Sequence, residues 1–361
     1  VERKEINVIG LMSGTSLDGM DIALSSFLFG KGKWNYQIKK ALTIAYDDYW
    51  QEQLSDAKKL SGLELAKLDI AYGKWIGERV KDFVTDMTAK PTIIASHGHT
   101  VFHQPQKRLT LQIGNLNAIH SASAIPVIGN FRILDVLKGG QGAPLVPIGD
   151  RLLFSDFDFC LNLGGISNIS FDDKQGVRRA CDISVCNIAL NFLSNKLGKS
   201  YDEGGKIAQS GKLNNQLKER LDAISYYQKP LPKSLGLEDI EADVFPLIEE
   251  TNCSIEDKMY TLVDHIAFQI AQFIKRTKDE GCLLITGGGA YNSFLIKKLQ
   301  NQLSSFYNIR EASPELIDFK EALVFAFLGT LRLRSETNIL SSVTGAQEDS
   351  VAGDIVGKIS L

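Results

Sequence analysis

The sequence predicts an α/β protein built from two related halves with a cleft between them, and three observations carry that expectation. Apolar strand-like runs alternate with helical periodicity along the chain. A glycine-turned strand pair opens the sequence, and a second recurs near residues 159–171. Two later apolar strands, Thr92–Ala95 and Cys282–Ile285, each stop abruptly at a polar, glycine-bearing turn, as duplicated units would.

The first pair runs from Ile6 to Met12, breaks over Gly14–Gly19 and resumes from Asp21 to Phe29. A third strand is expected over Tyr36–Ala45, after the Lys31-Gly32 turn. Apolar residues at Leu65, Leu68, Tyr72, Trp75, Ile76 and Val80 keep helical spacing and predict a helix over Leu63–Met87. The strand Thr92–Ala95 then runs into Ser96-His97-Gly98-His99, and Pro126–Ile128 reads as another strand. In the second half, Phe159–Leu163 turns through Gly164-Gly165 into Ile166–Phe171. A polar, mostly helical insertion containing Pro230-Leu231-Pro232-Lys233-Ser234 is expected at about 214–257.

With 361 residues, 44% hydrophobic and 23% charged, the chain is long enough for two ordinary cores. A formal net charge of -3 gives no basic footprint for nucleic acid and no polybasic patch for a membrane surface. The apolar run near the start turns at Gly10, too early for a signal-peptide core, and no stretch reads as a membrane span. The 5 cysteines are scattered without a C-x-x-C pair, so reduced thiols in a cytoplasmic protein are expected.

Three glycine-rich turns follow apolar strands: Gly14–Gly19, Gly164–Gly165 and Gly287–Gly289. Backbone N–H groups in such turns can approach an anion with no Cβ in the way, which suits phosphate; a tight hairpin is the competing reading. In the first, Thr15 and Ser16 add hydroxyls, and the carboxylates of Asp18 and Asp21 could hold Mg²⁺ directly or through its waters. The third leads into a helix expected near Asn292, where helix-end N–H groups could support a nucleotide. None has P-loop or G-x-G-x-x-G spacing, which excludes those nucleotide folds. Asn130–Asp135 and Gly139–Pro144 read as a shaped loop holding Arg132 and Asp135. Asp182 follows an expected strand and precedes a helix, so spacing alone favours an N-cap over a catalytic base. His97, His99 and His103 lack a fourth ligand pattern, and hydrogen bonding to a polar substrate is favoured over zinc.

Taken together these segments resemble the anhydro-N-acetylmuramic acid kinase family. The matches run in order along essentially the full length: Ile9–Asp21, Ser96-His97-Gly98 with Thr100, Val101 and His103, Leu111–Gly114, Phe131-Arg132 with Asp135, and Gly139–Pro147. Asn162–Ile169, Gly287–Ala290 with Asn292, Glu321-Ala322 with Phe325-Ala326, and Ser342–Ala346 complete the series. The resemblance implies two ribonuclease-H-like domains of the actin-like ATPase and sugar-kinase superfamily, placed at residues 1–130 and 131–361, with the last helix able to return to the first domain. It places ATP on Gly14, Thr15, Ser16, Leu17, Asp18, Gly19, Met20 and Asp21, on Gly164, Gly165, Ser167 and Asn168, and on Gly287, Gly288, Gly289 and Asn292. It makes Asp182 the catalytic base, overturning the cap, and sets Glu321 near the reacting groups, where a first-turn helix acid is the plainer alternative. His97, Thr100, Arg132 and Asp135 are implied on the sugar side, Mg²⁺ at Asp18 through water, and a homodimer as the assembly.

Four departures from the family pattern mark this chain. The loop after the base is Ile183-Ser184-Val185-Cys186-Asn187 where Thr-Gly-Pro-Gly-Asn is usual, and His99, Asn115 and Asn130 replace Gln, Asp and Asp. The implied reaction opens a 1,6-anhydro sugar with water and phosphorylates O6 from ATP. A levoglucosan-type or plain sugar kinase, and a non-catalytic ATP-gated sugar sensor, are the rival expectations.

Overall fold

The protein is described by a computed structural model covering residues 5–14, 17–303 and 305–359. The chain forms two units, Val1–Phe154 with Phe319–Leu361, and Ser155–Asp318. The expected boundary after residue 130 therefore falls inside the first unit. The physical reason is local packing: Phe131 lies 5.9 Å from Phe325, and Phe154 meets Tyr36 edge-on at 5.5 Å.

The first unit holds strands β1 (Ile6–Ser13), β2 (Gly19–Gly30), β3 (Lys33–Ala45), β4 (Ile93–Ser96), β5 (His99–Gln104), β6 (Leu109–Ile113) and β7 (Val127–Gly129). The second holds β8 (Phe159–Leu163), β9 (Ile166–Asp172), β10 (Arg178–Val185), β11 (Gly281–Thr286) and β12 (Tyr307–Arg310), and β13 (Asp354–Val356) belongs to the first. The larger sheet has the order β13-β7-β4-β1-β2-β3, and the second has β10-β9-β8-β11-β12. In both, three antiparallel strands are followed by two parallel ones on the other side of the first strand. This repeated order is that of a ribonuclease-H-like domain, so the duplication expected from two short sequence echoes is present in the topology. β5 and β6 form a separate hairpin that the sequence pattern did not disclose.

Each sheet has its own core. In the first unit Ile9, Leu11, Ile22 and Leu24 pack with Leu68, Tyr72, Ile76 and Val80 of the helix Gly62–Val84, which begins at a Ser61 cap. That apolar stripe at helical spacing is what the sequence displayed. In the second unit Leu161, Ile169 and Ile183 pack with Leu262, Ile266 and Ile270 of the helix Ile255–Thr277. The insertion supplies helices Asn215–Asp222, Leu237–Asp243 and Phe245–Glu250 to this core. Among the described residues no helix is long and apolar enough to cross a membrane.

Candidate active site

In the first unit, the close approach of a helix to the sheet decides where the charges stand. A Cβ at Gly10 of β1 would lie 1.8 Å from the carbonyl oxygen of Ala322, so only glycine admits the helix Pro314–Leu333 at this distance. The helix is broken at Phe319, and Glu321 follows the break. Glu321 is thereby close enough to interact with Arg132, Asp21 and Lys320. Its side chain remains exposed, yet surrounding protein displaces enough water to raise its carboxyl above the usual range; Asp21 adds to the rise while Arg132 and Lys320 oppose it.

The turn between β1 and β2 contains Leu17 at φ 58, a left-handed conformation uncommon for a side chain with a Cβ. The expected phosphate hydroxyls of Thr15 and Ser16 lie outside the described residues. Asp18 is exposed, and its carbonyl accepts a hydrogen bond from Tyr46 N at 3.3 Å. Asp21 Oδ1 accepts from Thr43 Oγ1 at 2.6 Å. The Met20 side chain is buried in the core, so of its groups the backbone is what the turn can offer an anion.

Arg132 stands before the short helix Ile133–Leu137, and its donors are already directed. Nε donates to His97 Nε2 at 3.0 Å, and Nη1 donates to the Gly142 carbonyl at 2.6 Å. Burial brings the guanidinium down to about 10, with Glu321 opposing the shift. Burial and the Arg132 charge hold His97 well below the usual histidine range, which keeps it neutral and able to accept that bond. Asp135 is fully buried: Oδ2 accepts from Gly142 N at 2.7 Å and Oδ1 from Thr344 Oγ1 at 2.6 Å. Arg132 and Asp135 thus shape the same loop, each through Gly142. Thr100 Oγ1 accepts from Gln112 Nε2 at 3.3 Å on the β5–β6 hairpin.

The three histidines are directed to three different partners. His97 meets Arg132, His99 Nδ1 lies 3.0 Å from Ser13 Oγ, and His103 Nδ1 lies 3.1 Å from Thr110 Oγ1. Ser13 also accepts from Tyr46 OH at 2.8 Å, and Tyr46 meets Tyr72, so His99 joins a buried polar chain beneath the first turn. No sequence signal marked Tyr46 for this place. Burial lowers His99 to about 4.

In the second unit Asp182 lies within β10, not after it. The helix Asn187–Asn195 has Cys186 at its N-cap position and no side-chain cap, so the capping reading of Asp182 fails. The register of β9 and β10 shifts between Asp182 and Ser184, and Asp182 stands opposite Asn168. Its Oδ2 accepts from Leu235 N at 2.9 Å and from Ser234 Oγ at 3.1 Å. Burial raises the Asp182 carboxyl above the usual range, while Leu235 N–H, Ser234 and Lys233 oppose the shift. Sequence reasoning missed Ser234 and Leu235 as its holders; the proline-rich Pro230–Ser234 run marked the segment but not its target.

The two glycine turns of this unit pack on one another. Gly287 has φ +81, and a Cβ there would lie 2.5 Å from Asn162 Oδ1, so conformation and space both require glycine. Gly288 is exposed, while a Cβ on Gly289 would press on Leu163 at 2.7 Å. Gly164 and Gly165 turn from β8 to β9, and their carbonyls accept from Asn187 N and Cys186 N at 3.2 and 3.0 Å. Ser167 is fully buried, and its hydroxyl bonds Ser184 O and N across the sheet at 2.9 and 3.1 Å. Asn292 Oδ1 caps the helix Ser293–Gln302 through Leu295 N at 3.0 Å. Ser167 and Asn292 therefore hold the turns in shape with the side chains the sequence assigned to nucleotide. The chain after Asp182 keeps the strand to Val185 and buries Cys186.

Two of the substituted positions have local partners of matching charge. Asn115 caps the helix Leu116–Ser123, and its Nδ2 donates to Asp69 Oδ2 at 3.0 Å. Asn130, at φ 59, donates from Nδ2 to Asp354 Oδ2 at 2.8 Å. An aspartate at either place would set two carboxylates against each other, whereas asparagine donates.

A family model described as anhydro-N-acetylmuramic acid kinase matches residues 6–358. The chain belongs to the anhydro-N-acetylmuramic acid kinase family. A protein of that name from Hydrogenovibrio crunogenus is 34% identical, covering 96% of this chain and 97% of its own. Others from Mannheimia succiniciproducens and Saccharophagus degradans are 32% and 31% identical, covering 97% and 96% of this chain and 98% of their own in each case. Among solved structures, an activator of 2-hydroxyisocaproyl-CoA dehydratase from Clostridium difficile with bound ADPNP aligns with a TM-score of 0.44 and 14% identity, over 91% of this chain and 97% of its own.

Proposed function

We propose that this member of the anhydro-N-acetylmuramic acid kinase family opens the 1,6-anhydro ring of its namesake sugar with water and phosphorylates O6 from ATP, yielding N-acetylmuramic acid 6-phosphate for cell-wall recycling. The observation that carries this reading is the Asp182 carboxylate. It is half-buried on a strand, and Ser234 Oγ and Leu235 N both donate to its Oδ2. Its raised proton affinity suits a group that must take a proton from water.

In the proposed reaction water attacks the anomeric carbon and gives its proton to Asp182. The C1–O6 bond breaks, O6 bonds to the γ-phosphorus, and ADP departs. Inverting glycosidases pair such a base with an acid that protonates the leaving oxygen. Here the phosphoryl group captures the leaving oxygen, so one carboxylate is enough. The turns at Gly14–Asp21, Gly164–Asn168 and Gly287–Asn292 would cradle the phosphates with backbone N–H groups. Mg²⁺, when bound, would neutralise phosphate charge. Asp18 and Asp21 fit it, because kinase magnesium takes one or two carboxylates and fills its shell with water and phosphate oxygens. Among the described residues no cluster of three or more potential protein ligands offers an alternative cage. Arg132 would grip the lactyl carboxylate of the sugar, held in aim by His97 and the Gly142 carbonyl. Glu321 would help orient sugar or metal. The scattered free cysteines favour a cytoplasmic setting, and a homodimer is the proposed assembly.

The test is the route of oxygen. In ¹⁸O-labelled water with ATP and the anhydro sugar, the new anomeric hydroxyl should carry label and the transferred phosphate should not. Label in the phosphate would mean that ATP is hydrolysed before ring opening, which ends the concerted scheme. Faster turnover of levoglucosan would end the substrate assignment and leave the kinase.

A further inference from the structure

The segment that holds Asp182 has a second face. Lys229–Ser234 leads from the turn Ser225–Gln228 toward the helix Leu237–Asp243. One face carries Ser234 and Leu235 to the Asp182 carboxylate, and Tyr226 OH donates to the Asp182 carbonyl at 2.8 Å. The other face, with the helix Ile255–Thr277, bounds a cavity of about 350 Å³. Its apolar wall includes Phe171 and Phe273, and its cations are Lys229, Lys233 and Arg276. No carboxylate lines it.

Three like charges converge on a cavity with no carboxylate in its lining, the nearby Asp182 carboxylate offsets that repulsion only in part, and a bound anion would offset it further. Among the described residues, none of the three has an ion-pair partner. Lys233 Nζ instead lies 4.6 Å from the Tyr226 ring centre and 6.0 Å from that of Phe273, and Lys229 Nζ lies 5.5 Å from Tyr226. Burial, reinforced by Arg276 and Lys229, lowers the Lys233 ammonium, while Cys181 and Asp182 oppose it. The cavity's size suits a small molecule, and aromatic walls beside cations suit an anion carried on a compact ring.

We infer that this cavity binds a phosphate dianion, free or esterified to a sugar, and that its occupancy alters the hold of Ser234 and Leu235 on Asp182. Lys233 is the residue next to Ser234, so a dianion that draws Lys233 toward the cavity also moves the hydroxyl that bonds the carboxylate. The binding stands on the cavity alone, whereas the coupling rests on Asp182 being the base. The reaction proposed above makes a sugar phosphate, so an ester ligand here would let a product-like molecule adjust turnover.

The experiment is calorimetric titration of the full chain with glucose 6-phosphate, inorganic phosphate and glucose, with a non-hydrolysable ATP analogue saturating the phosphate-binding turns. Both phosphates should bind and glucose should not. Tighter binding of the ester identifies a sugar phosphate, and equal binding identifies free phosphate. Lys229→Gln combined with Arg276→Gln, both at exposed positions, should weaken binding at least about tenfold, since two charge-assisted contacts to the anion are removed. Binding abolished by the analogue, or unchanged in the double variant, overturns the site. Asp182→Asn should still bind both phosphates, which separates this site from the assignment of the base. Turnover that responds to glucose 6-phosphate in the unmutated enzyme but not in the double variant supports the coupling. Binding without any change in turnover overturns the coupling alone.

Discussion

The loop around Asp135 in the first unit and the strand around Asp182 in the second each present an aspartate that sequence reasoning singled out, and the two are held in opposite ways. Asp135 is fully buried with each oxygen bonded to a different donor, Gly142 N and Thr344 Oγ1. It ties the 139–147 loop to the returning C-terminal segment. Asp182 is half-buried, receives Ser234 Oγ and Leu235 N at the same oxygen, and has its proton affinity raised by burial. A carboxylate with both oxygens bonded inside the fold is fitted to hold structure. One bonded at a single edge is fitted to meet a reacting molecule. Arg132 stands between these cases, with one donor committed to His97, one to the Gly142 carbonyl of its own loop, and its charge still influenced by Glu321.

The contrast breaks most directly at Asp182. Asp182→Asn should lower kcat at least about a hundredfold, with ATP affinity and unfolding midpoint nearly unchanged. A variant with near-normal turnover would remove the base from the proposed mechanism. Asp135→Asn should reverse the pattern, losing about 1–3 kcal/mol in denaturant unfolding because the buried charge that accepts from Gly142 N and Thr344 Oγ1 is removed. If that variant kept full stability, the structural role assigned to Asp135 would fall.

Arg132 sharpens the comparison at the next level. Arg132→Ala should reduce the preference for the carboxylate-bearing anhydro sugar over levoglucosan, by roughly 10- to 100-fold in the ratio of kcat/KM values, from the strength of charge-assisted bonds. Equal slowing of both sugars would instead assign Arg132 to loop shape through Gly142. The smallest effect belongs to Ser234→Ala. Ser234 bonds the charged form of Asp182 and so lowers its proton affinity; removing it should move the acid limb of the kcat–pH profile to higher pH. The base must be ionised, so activity falls as pH drops through its pKa, and the variant should lose activity first. A shift toward lower pH would contradict this placement of the hydroxyl.

Much of the scaffold was legible because its signals are local. Apolar runs broken by glycine turns marked β1, β2, β8 and β9, and the stripe through Leu68, Tyr72, Ile76 and Val80 marked the helix Gly62–Val84. The β5–β6 hairpin escaped because His99–Gln104 is mostly polar and gives no alternation. The glycine turns were visible, but the duties of their side chains were not. Ser167 bonds across a sheet and Asn292 caps a helix, geometries that only the folded register specifies. Asp182 looked like a cap because spacing cannot distinguish the last residue of a strand from one within it. Its contact with Ser234 spans 52 positions, and no local pattern reports such a pairing.

The return of Phe319–Leu361 to the first unit has a consequence for synthesis. Ser155–Asp318 is one uninterrupted stretch and can complete its sheet while the ribosome is still working. The first unit begins to emerge earlier and finishes later, because β7 awaits β13 at its outer edge and β1 awaits the helix that Gly10 admits. Through that interval an unpaired edge and an uncovered apolar face stand open to other chains. Of the two units, the one begun earlier is thus the one more in need of protection during translation.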